Sequence, residues 1–262
     1  MKLVVLGSGT SFPHPGRGAA GYWLEAESAR ILLDISADVP HRMASEQLDW
    51  VNLDAIWLSH FHLDHIGGLA PFLFGARSAR QTQHRVRPLR ICGPVGFIEI
   101  LQAINQSNNY RLLEQPFPLE LKEVEPGSDF ELVPGLDAVA FSTPHTTESL
   151  AIRLKDKSGR VLVYTSDTGF SVELVEFARG ADLLLMECSF YENKPVTTHL
   201  ELADAMKIAR ECEPRRLVLS HLYSEWDGID LASEARRLWS GETIAAFDGL
   251  RLEIQARTEP RL

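Results

Sequence analysis

Apolar residues along this chain gather into short continuous runs. "KLVVLG", "ILLD", "AIWLSH", "LRICG", "LDAVAFSTPH", "VLVYTSD", "LLLMEC" and "RLVLSH" are rich in Val, Ile or Leu, and each stops abruptly at polar residues. Runs of this length with such breaks predict strands buried on both faces. Between some of them lie segments of helical period: "GGLAPFLFGARSAR", "VGFIEILQAINQS" and "HLELADAMKIARECE", the last with apolar positions at Leu202, Ala205, Met206 and Ala209. Interleaved strands and helices predict a layered α/β fold.

No Ser/Gly-rich linker or low-complexity tract divides the chain. The softest joint is "EVEPGSDFELVPGL", residues 123–136, where Pro126-Gly127 and Pro134-Gly135 mark turns. The expectation is one domain over residues 1–262, built from two αβ halves that meet there.

Composition refines this picture only slightly. At 262 residues, 45% hydrophobic and 24% charged, the chain is large enough to bury a substantial core. No apolar run approaches the roughly 18–20 residues of a membrane span, and "MKLVVLGSGT" reaches its glycines too early for a secretory leader, so a cytoplasmic protein is expected. Cys92, Cys188 and Cys212 are scattered and fit neither a disulfide framework nor a cysteine zinc site. A net charge of −10 argues against a broad nucleic-acid surface, because that affinity comes from Lys and Arg neutralising phosphates. A small anionic substrate stays open, since two bound dications would restore about four positive charges inside a site.

The residues at the ends of the apolar runs carry the chemistry. "AIWLSH" ends in His60, "AVAFSTPH" in His145, "VLVYTSD" in Asp167 and "RLVLSH" in His221, while "LLLMEC" carries Glu187. Ligands of layered α/β folds sit just beyond the carboxyl ends of strands. The stretch "WLSHFHLDHIGG" adds His62, Asp64 and His65, so that residues 57–68 hold three of the nine histidines. In an extended segment His60 and His62 point to one side, and Asp64 and His65 can turn about a second point. The simplest allocation gives His60, His62 and His145 to one divalent ion, Asp64, His65 and His221 to another, and Asp167 to both. Such a set leaves positions open for water, as a catalytic site requires. Imidazole and carboxylate suit zinc, manganese or iron, with zinc the first expectation. His14, His41 and His84 read as ordinary loop residues.

Two other features point elsewhere. "VVLGSGTSFPHPG" opens like a dinucleotide fingerprint with Gly7 and Gly9, but Phe12 takes the third glycine position and prolines 13 and 15 obstruct the helix. The arginines of "RSARQTQHRVRPLR" (Arg77, Arg80, Arg85, Arg87 and Arg90) read first as a solvated helix end and loop, with contact to a phosphate as the alternative.

"SHFHLDHIGGL" resembles the HxHxDH signature of the metallo-β-lactamase superfamily, and His145, "SDTG" around Asp167 and "LSHL" around His221 match its remaining motifs in order. The resemblance covers nearly the whole chain and implies a four-layer αββα sandwich with a dinuclear metal site at the sheet edge. Within the superfamily the chain is most similar to ribonuclease Z and its phosphodiesterase relatives, through "LVVLGSGTSFPHPGRGAAGYWLE", "TPHTTESLAIRL", "DLLLMECSFYE" and "THLELADAMKIARECEPRRLVLSHLYSEW". That resemblance implies that Glu187 orients His199 at the start of the next helix, and that His199 protonates the leaving group. A plain helix cap at His199, beside Thr198, is the alternative. Relatives commonly pair as homodimers.

The chain departs from the ribonuclease Z pattern. The long Gly/Pro-rich arm that grips tRNA is absent, because "RLKDKSGRVLVYTSD" passes from strand to strand through a tight turn. "HST" is replaced by "HLE", and the HxSPRY-like segment is "HLYSEW", without its arginine.

The expected function is a metal-dependent hydrolase acting on a small or nucleotide-like phosphodiester, with Asp64 also steering the nucleophile's proton. Processing of tRNA 3′ ends and a lactonase or thioesterase-type acyl hydrolysis stand as alternatives. A non-catalytic metal-binding protein is a fourth class, expected to have lost a ligand.

Overall fold

The structure is a computed structural model that describes residues 1–256; residues 257–262, the end of the expected domain, lie outside the described residues. The chain opens with an antiparallel meander, β1 (Lys2–Gly7), β2 (Gly21–Ala26) and β3 (Ala29–Leu33), followed by helix α1 (Val39–Ser45). Then come β4 (Ala55–Trp57), the short helix α2 (Leu63–Ile66), α3 (Leu69–Ser78), β5 (Leu89–Pro94), α4 (Phe97–Ser107) and β6 (Leu119–Val124). The second half starts with β7 (Asp129–Val133), β8 (Leu136–Ser142), β9 (Leu150–Asp156) and β10 (Val161–Tyr164). It ends with α5 (Val172–Ala178), β11 (Leu183–Glu187), α6 (Leu202–Cys212), β12 (Arg216–Ser220), α7 (Leu231–Leu238), β13 (Glu242–Ala245) and β14 (Arg251–Glu253).

These strands form two mixed seven-stranded sheets, ordered β14-β1-β2-β3-β4-β5-β6 and β13-β12-β11-β10-β9-β8-β7. The chain passes from the first sheet to the second between β6 and β7, within the turn-rich segment 123–136, and β14 returns to pair with β1. Three apolar layers make the sandwich. Leu3, Tyr22, Leu33 and Trp57 of the first sheet face Ala138, Ile152, Leu162 and Leu185 of the second in a shared core. Trp23, Leu32 and Ile56 pack outward on α1, α3 and α4, and Val163, Leu184 and Leu219 pack outward on α5, α6 and α7. Strands with apolar side chains on both faces therefore lie between a partner sheet and a helical layer, as the layered α/β reading expects, giving the four-layer αββα sandwich that the family resemblance implies.

One expectation about the strands needs correcting. The run "LDAVAFS" is not buried on both faces; in β8 buried Leu136, Ala138 and Ala140 alternate with more exposed residues. β8 lies near the end of its sheet, and its outer face is only partly covered by the helical layer. The glycine turn after β1 is tight for a steric reason: a Cβ on Gly7 would stand 1.8 Å from the Ala19 carbonyl oxygen, so close chain approach excludes every other residue.

Candidate metal centre and active site

Three of the candidate residues sit at one repeated offset. β4 ends at Trp57, β8 at Ser142 and β10 at Tyr164, and His60, His145 and Asp167 each follow three positions later. His221 comes directly after β12, and Glu187 is the last residue of β11. Left-handed backbone at Asp34 (φ 57°), Ser166 (φ 55°) and His221 (φ 57°) turns the chain sharply after β3, β10 and β12. Strained non-glycine positions of this kind persist where the surroundings hold them, commonly at functional sites. At His62 the backbone is still extended, and α2 starts at the next residue. That switch directs His60 and His62 to one cluster and Asp64 and His65 to its neighbour.

The site residues gather into two groups. Ligand-type atoms of His60, His62, His145 and Asp167 lie within 4.8 Å of one another, as do those of Asp64, His65 and His221. Asp167 faces both groups with separate oxygens. Its Oδ2 is 3.8 Å from His60 Nε2 and 3.6 Å from His145 Nε2, while Oδ1 is 3.3 Å from His65 Nε2 and 3.4 Å from His221 Nε2. Asp64 Oδ2 lies 3.5 Å from His221 Nε2. His62 Nδ1 is 3.1 Å from His145 Nε2. Donors about 2.1 Å from a common centre at tetrahedral angles stand about 3.4 Å apart, so this spacing fits ligation of one cation by each group.

Hydrogen bonds behind the rings fix which nitrogen faces the site. His65 Nδ1–H donates to Asp34 Oδ2 (2.7 Å), and His145 Nδ1–H donates to the Thr198 carbonyl (3.0 Å). The Ser59 hydroxyl gives its one proton to Asp34 (2.7 Å), so the 3.0 Å contact between His60 Nδ1 and Ser59 Oγ must be donated by the imidazole. The same logic applies to His221. Ser189 donates to Glu187 (2.6 Å) and receives the His221 Nδ1–H at 3.0 Å. Four rings are thereby held with an Nε2 lone pair toward the cluster. The Nε2 atoms of His60, His65 and His221 and Oδ1 of Asp167 are buried without any hydrogen-bond partner. Such orphaned acceptors are costly unless a cation completes them, and polarised imidazoles of this kind are the usual arrangement behind a bound metal.

Electrostatics agree with this reading. Among the described residues, the ion-pair partners of Asp34, Asp64, Asp167 and Glu187 are all imidazoles. Burial would raise the Asp167 carboxyl, but His221, His65 and His60 hold it well below the usual carboxylate range. Burial, reinforced by neighbouring His65, pushes His60 well below the usual imidazole range. His65 goes the other way: burial opposes its charge, but Asp167 and Asp34 raise it well above that range. The cluster is thus anionic enough to draw a proton onto a buried ring, and a divalent cation would satisfy the same demand.

Glu187 forms a second assembly beside the first. Its Oε1 accepts from Thr168 N (2.7 Å) and from His199 Nδ1 (2.8 Å), and its Oε2 accepts from Ser189 Oγ (2.6 Å) and Leu200 N (3.1 Å). With every direction occupied, the carboxylate clamps the His199 ring. A ligand-type atom of His199 lies within 4.8 Å of those of Asp167 and His221. Burial would lower the His199 pKa, but the hydrogen bond and charge of Glu187 raise it above the ordinary imidazole value. The helix-cap alternative is not met: α6 begins at Leu202 with Glu201 at the cap position, and His199 lies in the loop before it.

Residues 29–222 match the family model described as the Beta-lactamase superfamily domain. The chain belongs to this family. It is 28% identical to the probable metallo-hydrolase YhfI of Bacillus subtilis, over 95% of this chain and 98% of that protein. The crystal structure of YhfI superposes with a TM-score of 0.78 at 26% identity, covering 96% of this chain and 98% of that one. Ribonuclease Z of Archaeoglobus fulgidus is 24% identical, over 97% of each chain. A diphosphatase of the PhnP family shares the fold, with a TM-score of 0.75 at 22% identity over 98% of this chain and 99% of that one. The two sequence alignments differ in length. The one with YhfI spans 253 positions and the one with ribonuclease Z spans 308, more than the 262 residues of this chain, so the latter opens gaps.

In this superfamily member the connection between β9 and β10 is the four-residue turn 157–160, where Asp156 Oδ1 accepts from Ser158 N and Arg160 N. Two groups central to the site are absent from the sequence reading. Asp34, which braces His65 and Ser59 and also accepts from the Tyr164 hydroxyl (2.6 Å), was signalled by its place at the end of "ILLD". Ser189 carried no comparable signal. The arginine segment also needs correction, because Arg85 is buried: its guanidinium donates to the carbonyls of Val51, Leu53, Arg87 and Pro88. Four of its five N–H groups are taken by these carbonyls, and the carbonyls precede β4 and β5, at the end of the sheet opposite His60.

Proposed function

We propose that the protein is a metal-dependent hydrolase of phosphodiesters, with two divalent cations as cofactor and zinc the first choice. Asp167 carries the reading, since one buried carboxylate presents a separate oxygen to each of two imidazole clusters. His60, His62, His145 and Asp167 would hold one cation, and Asp64, His65, His221 and Asp167 the other. When bound, such a pair supplies an acidified water near neutral pH and positive charge for the non-bridging phosphate oxygens.

The chain's own groups perform the remaining tasks. Asp34, Ser59, Thr198 and Ser189 keep the ligand rings in the tautomer that offers Nε2. Asp64, besides its ligand role, accepts a proton from the attacking water. His199 holds its Nδ1 proton against Glu187 and delivers a proton from Nε2 to the departing alkoxide, a leaving group too basic to depart unassisted. The name ribonuclease Z among the relatives supports phosphodiester chemistry, while the four-residue turn after β9 offers no arm to hold tRNA.

A parallel screen tests the reading. The Zn²⁺- or Mn²⁺-loaded protein should hydrolyse bis-aryl phosphate or cyclic nucleotides far faster than lactones, thioesters or precursor tRNA. Preferential turnover of a lactone or thioester would replace it with acyl hydrolysis.

A further inference from the structure

We infer that the cleft beside His199 is a leaving-group subsite for a flat, uncharged aromatic ring; this rests on the phosphodiesterase reading above. The cleft measures about 580 Å³, and His199 lines it together with Phe12, Phe190, Val196 and Tyr223. A group protonated by His199 as it departs must occupy the space that His199 faces, so the walls of this cleft define what leaves.

The walls are apolar, and two of them are unusually open. Phe12 is 65% exposed and Val196 42% exposed, although both are large hydrophobic residues at the mouth of the site. Phe190 stacks on Tyr223 with ring centroids 5.0 Å apart and an interplanar angle of 11°, while Phe12 meets Tyr223 tilted at 5.4 Å. Tyr223 is therefore backed on one side, and Phe12 keeps a free face. Phe12 is also held in place. Gly9 N bonds to the Gly18 carbonyl (2.8 Å) across the base of its loop, and Arg17 ties the loop to the Tyr223 carbonyl (3.2 Å) and to Asp227 (2.5 Å). An exposed ring on a clasped loop forms a standing wall, to which an aromatic partner adds stacking or edge contacts with little ordering of the protein.

Charge narrows the ligand further. No Lys or Arg is among the described residues lining this cleft, and exposed Glu225 stands at its edge. Glu225 occupies the position of the arginine in the HxSPRY-like segment, and Tyr223 that of its serine. A leaving group that carries another phosphate or a carboxylate to the Glu225 edge would meet that charge with no Lys or Arg beside it, on the far side of the cleft wall from the metal ligands His62 and His145, whereas a neutral ring loses nothing there. The substrate class is therefore a phosphodiester whose leaving alcohol carries a neutral aromatic ring, rather than a polynucleotide.

The test uses the full chain loaded with Zn²⁺ or Mn²⁺ and three methyl phosphodiesters, whose second alcohols are 2-phenylethanol, 2-cyclohexylethanol and 2-(4-carboxyphenyl)ethanol. Their alkoxides are similar in basicity, so differences in kcat/KM for release of the second alcohol report the subsite. The phenyl ester should exceed the cyclohexyl ester by about fivefold to tenfold. The carboxyphenyl ester should be the poorest. Phe12→Ala should bring the phenyl-to-cyclohexyl ratio close to one, and Glu225→Arg should remove most of the penalty on the carboxylate. Both positions are exposed, so neither variant endangers the core. A ratio unchanged in Phe12→Ala, a preference for the carboxyphenyl ester, or turnover of bis-aryl phosphate with none of the three esters cleaved overturns the subsite and leaves the phosphodiesterase reading intact. Failure on bis-aryl phosphate as well overturns both.

Discussion

The two ends of the sandwich bury polar groups in opposite ways. Before β4 and β5, Arg85 lies with its guanidinium bonded to four backbone carbonyls. Beyond the other ends of the strands, His60, His65, His221 and Asp167 are as deeply buried, but each leaves an atom facing its neighbours without a partner. The first arrangement is closed and holds loops together. The second is open, which in a folded protein marks the place where a ligand completes the bonding. Neither burial nor a single unsatisfied atom separates structure from function here, since Trp57 Nε1 and Gln115 Oε1 also lack partners; the convergence of several such atoms on one point does.

The comparison can be broken at either end, and the largest effects on turnover belong to the open one. Asp167→Ala or His62→Ala should reduce phosphodiester hydrolysis to background in a steady-state assay with excess metal; full activity in either variant would end the two-cation proposal. Next comes His199→Ala. It should slow esters of alkyl alcohols by roughly 10²- to 10⁴-fold, the usual contribution of a general acid, and p-nitrophenyl esters far less, because that leaving group departs without a proton. Equal slowing of both would remove the general-acid role.

Asp34→Asn tests the layer behind the ligands. The amide keeps the shape but loses the charge opposite His65 Nδ1, so metal affinity, measured by competition with a chelator, should fall by about 10- to 100-fold. At the closed end, Arg85→Met should destabilise the protein by about 2–4 kcal/mol in denaturant unfolding, because several carbonyls lose their donor. Turnover of the folded fraction should stay at the level of the parent protein. A catalytic defect at unchanged stability would contradict the division between the two ends.

How much of this was legible in the sequence follows from the same physics. Continuous apolar runs such as "VLVYTSD" and "LLLMEC" are strands covered on both sides, and their abrupt ends gave the positions of Asp167 and Glu187. Strands with one open face were harder to see: β6 "LELKEV" alternates partly buried and exposed positions up to buried Val124 and carries two glutamates and a lysine. The histidine motif was readable because its residues are adjacent in sequence. Asp34 stood at the end of an apolar run like the ligands, but its role depends on His65, 31 positions away, and Ser189, acting on His221 32 positions away, carried no signal. Arg85 misled for a related reason. An arginine-rich segment looks solvated until the fold surrounds one of its members with carbonyls. The aromatic wall escaped for lack of a pattern, because Phe12, Phe190 and Tyr223 come from three separate loops.

The most direct test of the central claim is the metal content of the purified protein and of Asp167→Ala, measured side by side by elemental analysis after exhaustive dialysis. The dinuclear site predicts close to two divalent ions per chain in the parent protein and loss of at least one in the variant. Retention of fewer than one ion by the parent, or an equal content in both proteins, would contradict it.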